Sequence, residues 1–520
     1  MLDEAELSLE ESMADYDAIV VGSGAGGLSA ALEVARSGFS VLVLEAMPSF
    51  GGYLNPFRRK QYSFDTGLHY MGELGQEGRF RNLLEGLGVS VDFVELDPDG
   101  FDRYVFPDFE LQLCKGKERF EERLVRLFPG EERGIHRYFE ISDSVLRATQ
   151  ASESMGEGLL EKLGFILRNP IMMKYGRVPY QRLLDEVTAD RRLQAALAAI
   201  HIDYGLSPAK ASVVVAVLLW DHYLKGAYYP SGGSGAFRDA FINGLETCGA
   251  ELRNRTRVVR IDKRGEEFVV ETEPGEKHTA KVVISDADPV ITLGKLLAPE
   301  MVPTKARKKA IRLRPSIGCF YAFVGTDLDL PSLGITNANI VHYDTYDINA
   351  THEHLENGLI PEDVPFFLLT SPSVKDPAGG HATSGYSTLE IITLVGYKAF
   401  EKWANLASMH RGEEYERLKE KIGERLIAAA ERYVPGLSEH LDCVEYATPL
   451  TNEYWVNAVQ GGMYGPAQTP DQMGPGRFSS FTAGIDGLFL VGSGALAGGI
   501  IACVASGVLA GKKAAGTLGG

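Results

Sequence analysis

Near the N-terminus the hydrophobic pattern changes period twice. Asp17–Val21 ends in a short continuous apolar run, and a glycine-rich stretch, Gly22-Ser-Gly24-Ala-Gly-Gly27, follows at once. Leu28, Ala31, Leu32 and Ala35 then recur at helical spacing as far as Gly38, and Val41–Leu44 is a second apolar run closed by Glu45. Short continuous apolar runs read as strands buried on both faces, whereas i, i+3, i+4 spacing reads as an amphipathic helix. The segment therefore predicts strand, helix, strand, with the glycines in the first turn.

Farther along, Val258–Ile261, Phe268–Glu271 and Lys281–Ser285 are separated by the turn residues Lys263-Arg264-Gly265 and Pro274-Gly275, which predicts a meander. Residues 96–224 read as largely helical, with periods such as Phe120, Leu124, Leu127 and Phe128. Residues 301–474 mix strands (Gly318–Gly325, Phe366–Thr370, Leu389–Val395) with a long helix near 411–433. Gly487–Val491 is a last apolar strand, and the apolar stretch Leu496 to Ala510, rich in glycine and alanine, reads as a buried helix. The pattern implies an α/β fold. Its nucleotide-binding domain is discontinuous (15–95, 225–300 and 475–520), and 96–224 form a helical cap and substrate region. Residues 301–474 form a mixed α+β substrate domain, and 1–14 an acidic leader.

A length of 520 residues suits two to four such units. The net charge of -18 argues against general nucleic-acid binding, which needs a basic face. The leader has neither a basic nor an apolar segment, so it does not read as a secretory signal. The five cysteines are odd in number and widely spaced, which favours a reducing cytosolic compartment over a disulfide framework or zinc site. No uninterrupted apolar run reaches the roughly 18 residues of a membrane span. Nothing in the sequence sets an oligomeric state.

Each residue of the glycine turn has a physical reason. Gly22 permits the tight strand-to-helix turn, Gly24 lets a pyrophosphate approach the backbone, and Gly27 lets helix and strand pack closely. The helix N-terminus offers unpaired N–H groups and a positive dipole end to the phosphates. Glu45 can accept hydrogen bonds from the ribose of an adenosine half, and an acid at that position disfavours a 2'-phosphate.

The residues after Glu45 narrow the dinucleotide. Ala46-Met-Pro-Ser-Phe-Gly51-Gly52 resembles the FAD-binding amine-oxidase and phytoene-desaturase superfamily. Asp65-Thr66-Gly67-Leu68-His69-Tyr70 resembles its phytoene desaturase, carotenoid isomerase and retinol saturase branch, as does Tyr228-Tyr229-Pro230-Ser-Gly232-Gly233. Val258–Ile261, Val282–Pro289, Ser371–Pro377 and Gly487–Gly492 extend the likeness over roughly residues 16–515. One departure is Tyr53, which stands where many relatives have arginine after the paired glycines. The resemblance implies a Rossmann-like domain binding FAD non-covalently, with Gly22, Gly24, Gly27, Glu45, Gly51, Gly52, Val258, Gly492 and Ser493 as cofactor contacts.

It also implies redox chemistry on the C=C bonds of a lipophilic polyene, such as a carotenoid, a retinoid or a related isoprenoid, by saturation or desaturation. A flavin-dependent cis-trans isomerase of the same substrates is an alternative, and so is a non-catalytic lipid-binding protein of the Rab escort and GDP-dissociation-inhibitor kind. An amine oxidase is a weaker enzyme alternative. His69 and Tyr70 are the catalytic candidates, with His222, Tyr223 and Tyr454 as further acid-base groups. His352-Glu-His354 lies in an acidic, loop-like stretch and is not read as a metal site, and no metal is expected elsewhere. No separate NAD fold is legible, so the external redox partner can be NAD(P)H meeting the flavin directly, a quinone, oxygen or a small redox protein. The segment Gly158–Arg182 interleaves Lys162, Arg168, Lys174, Arg177 and Arg182 with apolar residues, which suits peripheral contact with an anionic membrane.

Overall fold

Tyr16–Val21 forms strand β1, Ala25–Arg36 helix α1 and Val41–Leu44 strand β2. In the computed structural model, which describes residues 14–153, 164, 165, 167–273, 275–358 and 362–520, this unit opens a seven-stranded sheet. Strand order is Glu251–Arg253, β2, β1, Lys277–Ser285, Glu267–Thr272, Val258–Arg264, and Leu488–Leu490 pairs with the far half of Lys277–Ser285. The strands around β1 are parallel, with Ile19 opposite both Leu42 and Val283. Helices cover both faces there, so β2 and the end of β1 are buried throughout, as their unbroken apolar runs require. Val258–Arg264, Glu267–Thr272 and Lys277–Ser285 form the antiparallel meander.

The C-terminal helix Ile500–Gly519 lies against α1. A side chain at Gly507 would meet Ser29 Oγ and Gly26 O, and one at Gly511 would come within 3.0 Å of Ala30 O. Small residues let the two backbones close, and Ser29 Oγ donates to Val504 O at 3.2 Å. The helix starts at Ile500 rather than Leu496, because Gly492–Gly494 and the glycines after it form the turn from the last strand. It is long and apolar enough to cross a membrane by length and composition, and 39% of its apolar window is buried inside the protein.

A second seven-stranded sheet runs Leu441–Ala447, Gly318–Thr326, Ser387–Val395, Phe366–Thr370, Asn339–Tyr343, Asp102–Val105, Glu110–Leu113. Its longest strands alternate between two cores. Phe320, Ala322 and Val324 pack with Leu426 and Ile427 of the helix Glu413–Ala430, while Tyr321 and Phe323 face the main core. The region 96–224 thus opens with a hairpin, Asp102–Leu113, that completes this sheet. Two strands of four residues are too short to stand out from a helical background. Beyond them come the helices Lys117–Leu127, Glu132–Glu153, Pro170–Tyr175, Tyr180–Val187, Arg191–Ala198 and Val213–Leu224.

His352 and His354 sit on the helix Ile348–Glu356 rather than in a loop, with Asp347 accepting Ala350 N–H to start it. The acidic leader, up to residue 13, lies outside the described residues, as do Leu159, Leu160, Lys162 and Ile166 of the basic segment.

Candidate functional site

The glycine turn lines one end of a cavity of about 1980 Å³ that runs between the two sheets and under the cap helices. A single ligand site typically measures ~300–1,000 Å³, so there is room for a dinucleotide and a second molecule. Gly22 takes φ +93°, a left-handed conformation that a side chain would strain. Gly27 packs against Gly22 O, where a Cβ would collide. The N–H groups of Ala25 and Gly26, in the first turn of α1, find no acceptor among the described residues, and both line the cavity. They suit a pyrophosphate, so the residues present fit a bound dinucleotide.

Glu45 ends β2 inside the fold. Its Oε2 accepts Ser23 N–H at 3.0 Å and the Ser23 hydroxyl, and its Oε1 accepts Met47 N–H at 2.9 Å. Ser23 Oγ in turn accepts Gly51 N–H at 3.1 Å, which ties the paired glycines to the first turn. Gly51 and Gly52 both have positive φ, +119° and +56°. Gly492 N–H donates to Ser506 Oγ at 2.8 Å, and the Ser493 carbonyl is held by Arg477. Gly22, Gly24, Glu45, Gly51, Gly52, Val258, Gly492 and Ser493 all border the cavity; Gly27 lies behind the turn and acts through packing.

Asp286 was not anticipated. It follows the strand Lys277–Ser285 and its carboxylate is wedged behind the turn: a Cβ on Gly24 would sit 2.5 Å from Oδ2 and one on Gly26 2.6 Å from Oδ1. The side-chain direction of the second glycine is therefore occupied by Asp286, which borders the cavity together with Gly24. Burial pushes this carboxyl up to about 7, opposed by the Gly27 and Gly24 N–H groups that face it and reinforced by the charge of Glu45.

The cavity wall is polar at His69, Tyr70 and Asp203, and buried charged groups stand behind it. Asp65 accepts Ser234 N–H at 3.1 Å, Ser234 Oγ at 2.5 Å and the Tyr229 hydroxyl, so it joins the Asp65–Tyr70 segment to the Tyr228–Gly233 segment. Its own N–H donates to Glu390 Oε1 at 2.8 Å. His69 stands with Nδ1 3.0 Å from Glu390 Oε2, off hydrogen-bond alignment, and Nε2 3.3 Å from the Tyr321 hydroxyl. Burial, with the positive charge of Lys375 second, holds His69 neutral, down at about 3, and burial raises Glu390 well above the usual carboxylate range.

Lys375 is buried and donates to His69 O at 2.7 Å and Asn339 Oδ1 at 2.6 Å, and burial lowers it to about 8. Its ammonium lies 5.7 Å from the centre of the Tyr70 ring, which stacks on Tyr223 at 4.5 Å. The Tyr70 hydroxyl lies 2.9 Å from Asp102 Oδ2 and 3.0 Å from Asp203 Oδ2.

His69, Tyr70, His222 and Tyr223 thus share one cavity wall. His222 is tied up in the fold, since its Nε2 accepts Gly72 N–H at 2.8 Å. Tyr454 is exposed and does not line the cavity. Tyr53, the residue directly after the paired glycines, also borders the cavity and donates to Gly462 O at 3.1 Å. Sequence reasoning passed over Asp102, Asp203, Glu390 and Lys375 as site residues. Glu390 carried a usable signal, as a lone charge inside a nine-residue buried strand. Asp102 and Asp203 carried none, because distant segments bring them together.

The model of the family described as flavin containing amine oxidoreductase matches residues 25–518. An all-trans-retinol 13,14-reductase of Danio rerio is 29% identical over 87% of this chain and 77% of its own length. A chloroplastic prolycopene isomerase, number 2 of an Oncidium hybrid cultivar, is 28% identical over 99% of this chain and 86% of its own. Among solved structures, an oxidoreductase from Methanosarcina mazei superposes with a TM-score of 0.65 at 16% identity, covering 95% of this chain and 99% of that one.

Proposed function

The chain belongs to the family of flavin-containing amine oxidoreductases, and from that premise we propose that it is a FAD-dependent enzyme adding or removing hydrogen across C=C bonds of a lipophilic polyene. The observation that carries the reading is the cavity, which continues from the glycine turn into a space walled by Phe165, Met172, Val214, Leu218, Leu219 and Ile500. A long apolar molecule fits such a wall better than a short cationic amine does. Similarity to proteins named as a retinol reductase and a prolycopene isomerase supports the substrate class.

FAD is held without a covalent bond by the turn at Gly22–Gly27, Glu45, Gly51, Gly52, Val258 and the Gly492-Ser493 turn. Bound flavin supplies the hydride chemistry, and the protein positions the substrate and its protons. His69 and Tyr70 belong to the wall that handles protons. NAD(P)H is the proposed external two-electron donor. An isomerase is the second reading, favoured by the equally extensive likeness to the prolycopene isomerase.

The described part of the basic segment supports a membrane-facing port. Leu167 and Met173 are 79% and 71% exposed, Phe165 and Met172 line the cavity, and Arg168, Lys174 and Arg177 flank them. Lipid docks at this mouth from an otherwise cytosolic enzyme.

Incubation of reduced holoenzyme with retinoids and carotenoids, followed by product mass, tests the reading. Products heavier by two hydrogens support it, unchanged mass with altered geometry moves the assignment to the isomerase, and turnover of amines with peroxide release overturns both.

A further inference from the structure

The Tyr70 hydroxyl touches two carboxyl groups, Asp102 at 2.9 Å and Asp203 at 3.0 Å, yet it owns one hydrogen. Were both carboxyls ionised, one short oxygen–oxygen contact would have no hydrogen in it, inside a buried site where such a contact is costly. At least one carboxyl therefore carries a proton.

The surroundings decide which. Asp102 accepts Asn339 Nδ2 at 2.7 Å on one oxygen and the Tyr104 hydroxyl at 3.2 Å on the other, and the Lys375 ammonium reaches it through Asn339. Those donors hold its anion. Asp203 ends the turn Ala199–Asp203, and its Oδ1 makes no hydrogen bond among the described residues. It lines the cavity together with Tyr204, Tyr223 and Tyr464.

Resting on the polyene reading, we propose that Asp203 is a neutral carboxylic acid and the proton donor to substrate carbon, with Tyr70 and Asp102 as the residues that position its proton. The hydrogen bonds then run one way. Asp203 O–H donates to the Tyr70 oxygen, and Tyr70 O–H donates to Asp102. Burial raises both carboxyls; it pushes Asp203 well above the usual carboxylate range, with the charge of Asp102 adding to it, whereas the rise of Asp102 is opposed by Asn339, Tyr70, Lys375 and Tyr104. His69 is the poorer donor, because Glu390 and Tyr321 face its two ring nitrogens.

Saturation of a C=C bond needs one hydride and one proton. The hydride for one carbon would come from reduced flavin held at the glycine turn, recharged by a two-electron donor of the nicotinamide class. The π pair forms the new C–H bond at the other carbon with the Asp203 proton, and the O–H bond breaks to leave a carboxylate. Tyr70 then turns its hydrogen toward Asp203 until water returns the proton. In the reverse direction the same carboxylate accepts the proton.

The test compares wild-type holoenzyme with D203N and Y70F. Infrared spectra at pH 7, with no substrate present, should show a protonated-carboxyl carbonyl band in the wild type that D203N lacks. Y70F, which removes the acceptor, should shift that band and keep it. Single-turnover reduction of a polyene by D203N should be slower by at least about 100-fold, the lower end for loss of a general acid, with flavin content and absorption unchanged. An identical infrared spectrum in D203N, or turnover within about threefold of wild type, overturns the proposal. If D203N fails to fold, an unshifted band in Y70F does so instead. A wild type inert toward every polyene overturns the functional reading, while the infrared band still decides where the proton sits.

Discussion

Replacing Gly24 by alanine probes the close packing between the glycine turn and Asp286. The new Cβ would lie 2.5 Å from Asp286 Oδ2, whereas ordinary contact begins at 3.4 Å, so about 0.9 Å must be found. Retreat of the carboxylate is opposed by the Gly24 and Gly27 N–H groups that face it and by the close packing of its other oxygen on Gly26 and Gly492. The turn moves instead, and it carries the Ala25 and Gly26 N–H groups that suit the pyrophosphate. Overpacking of this kind costs about 1–3 kcal/mol, which corresponds to roughly a 5- to 150-fold weaker FAD dissociation constant. Quenching of flavin fluorescence on titration into apoprotein measures it. Asp286→Ala removes the obstructing oxygens, so in that background Gly24→Ala should change FAD affinity by no more than about threefold. The two substitutions should therefore couple by ~1–3 kcal/mol, as contacting residues do. Equal loss from Gly24→Ala in both backgrounds would refute the argument, because the clash would then lie elsewhere.

Asp286 also sets a pH dependence. Its carboxyl is raised from 3.8 to about 7 in the fold, so the native state holds more protons than the unfolded chain between those values. Its contribution to stability is present in full below pH ~4 and is lost as pH rises toward ~7. Urea midpoints against pH should show that decline in the wild type and a flatter one in Asp286→Asn. Gly507→Val forces the C-terminal helix off Ser29 and Gly26 and should lower both the thermal midpoint and FAD retention, by the ~1–3 kcal/mol of an overpacked contact. Arg168→Glu with Arg177→Glu should reduce flotation with anionic liposomes and leave flavin content intact. Lys174 is less suitable, since its ion pair with Glu186 at 2.7 Å would be lost as well.

Much of the fold was legible because its strongest signals are local. The glycine turn announces itself through backbone requirements within a few residues, and Val41–Leu44 and Phe366–Leu369 are continuous apolar runs that read as buried strands. The hairpin Asp102–Leu113 was hidden by its brevity and by pairing with Asn339–Tyr343, more than 200 residues away. The site divides in the same way. His69 and Tyr70 were found because they belong to a recognisable stretch. Asp203, Asp102, Lys375 and Glu390 come from separate segments, and only the closed fold places them around Tyr70 and His69. Asp286 lay within a segment read as a returning strand, and its role follows from the missing side chains opposite it, a relation between two loops that neither loop shows alone.

The most direct test of the central claim is an anaerobic mix of photoreduced holoenzyme with all-trans-retinol or a carotenoid, following flavin absorbance and product mass together. The oxidised flavin spectrum should return as one product forms per flavin, heavier by two hydrogens. Flavin that stays reduced with every substrate unchanged in mass and geometry would contradict it.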